Sequence, residues 1–205
     1  MGTERNMAVC GKYISDEIRE ILNRRERKVV NHPPFPRAAV LLPLFEKEGR
    51  CWILFTKRTH QVRHHKGEIS FPGGMFDEED GDLERTALRE ASEEIGLRER
   101  DARILGALDD IVTVTEFIVT PFVGVVPYPY PFKLSPVEIA ELIEVPLATL
   151  LDPSCFGEQE IIHQDGKRRV EAYQYGEHSI WGATARILRQ FLDLISSREL
   201  PHPQP

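Results

Sequence analysis

From Gly73 to Leu97 the chain reads GGMFDEEDGDLERTALREASEEIGL: a glycine pair, an acidic loop and a helix with its stop signal. At about 100° per residue, Glu90, Glu93 and Glu94 share one narrow arc of that helix. Ala87, Leu88, Ala91 and Ile95 share the neighbouring arc, which must face a core. For the helix alone the glutamates are badly placed. Glu90 and Glu94 are like charges at i,i+4, a repulsion of roughly 0.2–0.5 kcal/mol. Glu93 and Glu94 crowd the C-terminal end, where the macrodipole disfavours anions, and Gly96 follows as the left-handed cap. Carboxylates that work against their own helix point to a hard cation, and carboxylate oxygens are what Mg²⁺ and Mn²⁺ prefer. A solvated acidic face is the commoner fate of a charge run, but it gives the Gly73-Gly74 turn no role.

The rest of the chain sets limits. With 205 residues, 41% of them hydrophobic, it can bury one sizeable core. The expected division is an N-terminal helix and linker over residues 1–33, one domain over 34–197 and a tail over 198–205. A net charge of −7 argues against a nucleic-acid partner. An anionic small-molecule ligand would instead be met by a local basic patch and a metal. Cys10, Cys51 and Cys155 make neither a disulfide framework nor a zinc spacing, and read as buried or idle thiols in a reducing compartment. No apolar run approaches a membrane span of ~20 residues, and no signal-peptide core opens the chain. The expectation is a cytoplasmic protein without a membrane partner.

In chain order, Ile14, Ile18, Ile21 and Leu22 predict an amphipathic helix with Ser15 as its N-cap. The basic cluster Arg24, Arg25, Arg27 and Lys28 reads as a solvated face. Strands are expected at Arg37 to Phe45 and Cys51 to Thr56, with a hairpin turn between them. Next comes a basic segment, Lys57, Arg58, His60, Arg63, His64, His65 and Lys66, which runs into Ser70-Phe71-Pro72-Gly73-Gly74 and so must lie near the carboxylate helix. Cations beside a metal site suit a phosphate-bearing ligand, since Arg binds phosphate oxygens bidentately. Strand-like runs follow at Ile104 to Ile111 and Phe117 to Val126, then an aromatic, Pro-rich loop, Tyr128 to Phe132. Ser135-Pro136 predicts a short helix from Val137 to Ile143 carrying Glu138 and Glu141. Asp165-Gly166 marks a hairpin, and Trp181 to Ile195 reads as a closing helix. Strands, an acidic helix, more strands and a final helix imply an α/β fold, an α/β/α sandwich around a mixed β-sheet. Neither a phosphate-binding P-loop nor a Gly-x-Ser-x-Gly elbow is found.

Two stretches resemble a known family. Gly74 and Arg89-Glu90-Ala91-Ser92-Glu93-Glu94-Ile95-Gly96-Leu97 resemble the Nudix signature. Asp80 stands where that signature has an isolated Glu, and eight residues rather than seven separate it from Arg89. Leu54-Phe55-Thr56-Lys57-Arg58-Thr59, Arg63, Gly67 and Phe71-Pro72-Gly73-Gly74 resemble the motif ahead of the Nudix box in coenzyme A pyrophosphatases. Ile180 to Arg186 is similar to the end of the same sequences. The resemblance implies the Nudix-type sandwich and hydrolysis of a diphosphate in a coenzyme A-like nucleoside diphosphate derivative, with Mg²⁺ or Mn²⁺. By that resemblance the metal ligands are Glu90, Glu94 and the Gly74 carbonyl, with Glu93 as a further ligand or water contact. Glu138 is the first candidate for general base, with Glu93 competing and Glu141 third. Arg89 orients the carboxylates, and Arg58 and Arg63 hold phosphates. A homodimer is compatible with the resemblance. Two other readings stand beside it: a Nudix pyrophosphatase for ADP-ribose, dinucleotides or nucleotides, and a non-catalytic Nudix ligand-binding module.

Overall fold

The computed structural model describes residues 12–31, 35–59, 67–163 and 166–196. The basic residues from His60 to Lys66, Arg63 among them, lie outside the described residues, as do Asp165 and the tail. Helix α1 (Lys12–Arg24) precedes β1 (Arg37–Lys47), β2 (Arg50–Arg58), β3 (Ile69–Ser70) and β4 (Gly73–Met75). Then come α2 (Leu83–Ile95), β5 (Arg103–Ala107), β6 (Ile111–Val112), β7 (Ile118–Val125), β8 (Ile139–Pro146) and α3 (Leu147–Leu150). The chain continues with β9 (Phe156–His163), β10 (Gly166–Tyr175), β11 (His178–Trp181) and α4 (Gly182–Ser196).

Strand β1 is the axis of a mixed sheet. It runs parallel to β7, from Arg37↔Ile118 to Leu44↔Val125, and antiparallel to β2. Both its faces are covered, so its sequence is an almost unbroken apolar run rather than an alternation. Ala38, Leu42 and Leu44 enter one core with Ile18 and Leu22 of α1 and Leu188 and Phe191 of α4. Ala39, Leu41 and Phe45 enter the other with Ala87, Ala91 and Ile95 of α2. That is the expected α/β/α sandwich. A three-stranded sheet, β11-β10-β9, stands beside it. Among the described residues no helix is long and apolar enough to cross a membrane.

One irregularity of the sheet positions everything that follows. β1 and β2 pair near their hairpin, from Leu44↔Ile53 to Lys47↔Arg50. Beyond it their partners change: Thr56 and Lys57 of β2 pair with β3, while Ala38 to Val40 of β1 pair with β4. The segment Ile69 to Met75 is thus wedged where β1 and β2 part, held also by Leu41 N donating to Pro72 O at 2.9 Å. Gly73 must be glycine there, because a Cβ would lie 2.3 Å from Ala39 O and 2.6 Å from Val40 Cα.

Four expectations are corrected. Val137 to Ile143 is not helical: Ile139–Pro146 is β8, antiparallel to β2. Ile139, Ile143 and Val145 are buried at even spacing, and the pairing edge of β2 outweighs a helix-like spacing of apolar residues. Ser15 is not an N-cap but lies buried inside α1, accepting from Arg103 Nη2 at 2.6 Å. The basic cluster is not uniformly solvated. Arg24 is exposed and pairs with Glu20, but Arg25 pairs with Asp109, and Arg27 donates to Asp110 Oδ1 at 2.5 Å. Finally, Cys51 is disulfide-bonded rather than an idle thiol, whereas Cys155 is free and buried.

Candidate active site

Helix α2 starts at Asp82, whose side chain accepts from Arg85 N at 2.9 Å, and ends at Gly96 in the left-handed conformation, φ 70°. Its apolar arc lies on the sheet, so the adjacent arc turns Glu90 and Glu94 toward the wedged Gly73-Gly74 segment. Glu94 is 2% exposed. Its Oε2 accepts from Gly73 N at 3.2 Å and its Oε1 from Arg58 Nη1 at 3.3 Å. Burial pushes its pKa up to about 8, with Arg58 and the Gly73 amide offsetting part of the rise. Glu90 is half-buried, and burial likewise raises its pKa. A Cβ on Gly74 would lie 2.4 Å from Glu90 Cδ, so this glycine leaves room for the carboxylate itself.

Arg89 connects the acidic groups. Its Nη1 lies 2.9 Å from Glu90 Oε1 and 3.1 Å from Glu93 Oε2, and its Nη2 reaches Met75 O at 3.2 Å. Its Nε and Nη2 grip the two oxygens of Asp80 at 2.7 and 3.1 Å. Asp80 is buried and also accepts from Thr86 Oγ1 at 2.8 Å and Asp77 N at 3.2 Å. The Arg89 guanidinium, with these further donors, holds its carboxyl down at about 2.

Arg58 sits at a register shift between Lys57 and Arg58 in β2, the kind of irregularity that re-aims a side chain. Its Nε is buried without a hydrogen-bond partner. Glu138 lies in the turn before β8, and the carbonyls of Val137 and Glu138 accept from Thr59 Oγ1 and N at 2.6 and 2.8 Å. Its charge raises the pKa of both Glu90 and Glu94, so the structure brings it to the same corner. Glu93 is exposed and shares the Arg89 Nη1 with Glu90. Glu141 is drawn off by Lys57 at 3.4 Å and His178 at 3.8 Å. Arg63 lies outside the described residues. Glu90, Glu94, Gly74, Arg89, Arg58 and Glu138 therefore meet in one place, while Glu141 does not join them.

Two carboxylates beside the Gly73-Gly74 main chain form a hard-oxygen donor set that fits Mg²⁺ or Mn²⁺ in kind. Among the described residues no three His, Cys, Asp or Glu side chains converge as a ready ligand set. The chain offers two acids plus backbone, with Arg58 and Arg89 now holding their charge.

The site borders a cavity of about 570 Å³ on the α1/α4 side of the sheet. It runs from Arg58 and Gly73 past Val40 and Val119 to Trp181 and Arg186. The Ile180 to Arg186 motif of β11 and α4 supplies part of this wall.

The NUDIX domain family model matches residues 34–163. A relative from Photorhabdus laumondii, described as an uncharacterized Nudix hydrolase NudL, is 37% identical over 153 residues, 75% of this chain and 81% of its own. One from an Enterobacter species with the same description is 37% identical over 172 residues, 84% of this chain and 83% of its own. The crystal structure of a MutT/nudix family protein from Enterococcus faecalis superposes with a TM-score of 0.53 at 12% identity, over 91% of this chain and 75% of that one. Hydrolases of this family generally need divalent metal ions. The chain belongs to the Nudix family and is a Nudix hydrolase.

Proposed function

We propose that this hydrolase cleaves the diphosphate bond of coenzyme A or its derivatives to 3′,5′-ADP and 4′-phosphopantetheine, with Mg²⁺ or Mn²⁺. The observation that carries the reading is the junction of Arg58, Gly73 and Glu94. There the end of the Leu54 to Gly74 motif meets the carboxylate helix at the mouth of the cavity. Glu90, Glu94 and the Gly74 carbonyl are the ligands in this reading. The bound cation would neutralise diphosphate charge and lower the pKa of a water molecule.

The residues do the rest. Arg58, with its unpartnered Nε, and Arg63 hold phosphate oxygens. Arg89, fixed by Asp80, keeps Glu90 and Glu93 in register. Glu138 takes a proton from the attacking water, with Glu93 second in line. One P–O bridging bond breaks, the water oxygen joins one phosphorus, and the other phosphate leaves as a monoester. Coenzyme A, ADP-ribose and a dinucleotide, incubated separately with Mg²⁺ and with Mn²⁺, test the reading by product analysis. Coenzyme A is expected to be cleaved with the highest kcat/KM. Preference for ADP-ribose, or binding without turnover, would replace it.

A further inference from the structure

The cavity has two cationic ends. At one, Arg58 and Gly73 adjoin Glu94. At the other, Arg186 near the start of α4 rests its Nη1 on Val112 O at 2.8 Å. Val112 belongs to β6, which pairs with β7, then β1, then β4 carrying Gly73. That is three strand spacings, on the order of 14 Å across the sheet, too far for both arginines to hold one diphosphate. Arg25, Arg27, Arg89 and Arg98 each have a carboxylate partner. Arg186 is exposed and, among the described residues, bonds only that carbonyl. Val40, Phe117 and Val119 line the cavity together with Trp181, beside the polar Glu68 and Arg168. The far wall is fixed in place, because Thr184 Oγ1 donates to Ile69 O at 3.0 Å and ties α4 to the strand leading into Phe71-Pro72-Gly73-Gly74. The volume of about 570 Å³ is that of a ligand site.

Resting on the coenzyme A reading above, we infer that this cavity takes the nucleoside half of the substrate, with Trp181 as an aromatic wall and Arg186 as the contact for the phosphate on the sugar. Arg186 is then a specificity-determining residue: it separates a sugar-phosphorylated nucleotide from one lacking that group. Arg58 remains a diphosphate contact.

Calorimetry with adenosine 3′,5′-bisphosphate and with 5′-AMP tests this without turnover. The unsubstituted protein should bind the bisphosphate about tenfold tighter or more, as a charged hydrogen bond predicts. Arg186→Gln should erase the difference, and Arg186→Lys should restore part of it, with unfolding midpoints unchanged because the side chain is exposed. In turnover, Arg186→Gln should raise KM for coenzyme A while leaving 3′-dephospho-coenzyme A unaffected. Equal binding of the two nucleotides, or a preference that survives Arg186→Gln, would overturn the inference. Retained nucleotide discrimination without cleavage of coenzyme A would instead count against the proposed activity.

Discussion

Arg89 and Asp80 form a two-point ion pair, Nε to Oδ1 at 2.7 Å and Nη2 to Oδ2 at 3.1 Å, nine positions apart in the chain. This pair accounts for both departures from the family signature. The loop before the helix is one residue longer and its acid one methylene shorter, and the buried Asp80 acts as the clamp on Arg89.

Asp80→Asn should therefore loosen the site as well as the fold. Losing a charge-assisted pair costs about 1.5–3 kcal/mol at neutral pH, readable by urea unfolding. The freed guanidinium would lean on Glu90 and Glu93, so kcat should fall too. The pH dependence has a definite sign. The carboxyl is lowered from 3.8 to about 2 in the fold, so its stabilisation is present above about pH 4 and lost as pH falls through about 2. The stability gap between the protein and Asp80→Asn should hold near pH 7 and shrink across that acid window. A gap that widens toward low pH would contradict the clamp.

Gly73 and Gly74 are adjacent but should fail differently. A Cβ on Gly73 meets backbone, Ala39 O at 2.3 Å, so Gly73→Ala must move strands and should cost about 1–3 kcal/mol or more. A Cβ on Gly74 meets only the end of Glu90, Cδ at 2.4 Å, which can swing away. Gly74→Ala should unfold within about 1 kcal/mol of the unsubstituted protein yet lose most of its turnover. Denaturant titration and kcat, measured side by side, check the split.

Asp110, fully buried, accepts from Arg27 at 2.5 Å, Thr120 Oγ1 at 2.6 Å and Val30 N at 3.0 Å. It pins the chain after α1 to the strand before the cavity rim. Asp110→Ala strands these donors and should cost about 3–5 kcal/mol. Arg24→Ala removes only an exposed helix pair, so the change should stay below about 0.5 kcal/mol. Comparable losses in the two variants would refute the distinction.

What could be read from the sequence was local. The arc of Glu90 and Glu94, the Gly96 cap, the hairpins at Glu46 to Arg50 and Gly166, and the apolar β1 all follow from spacing within a few residues. Contacts across the chain were hidden. Ile139 to Val145 fits both helical and strand periods, and only the edge of β2 decides between them. Arg25 and Arg27 look like any basic run until β5 and β6 bring Asp109 and Asp110 against them. The far wall of the cavity depends on Thr184 meeting Ile69 across 115 positions, which no local pattern encodes.

The central claim is that Glu90 and Glu94 hold a divalent cation on which hydrolysis depends. Mn²⁺ binding followed by calorimetry, in the unsubstituted protein and in Glu90→Gln and Glu94→Gln, tests it most directly when turnover is measured on the same samples. The account predicts that each substitution weakens Mn²⁺ binding and abolishes turnover together, while the unfolding midpoint holds or rises as like charges are relieved. Unchanged Mn²⁺ affinity with normal turnover at limiting metal would contradict it.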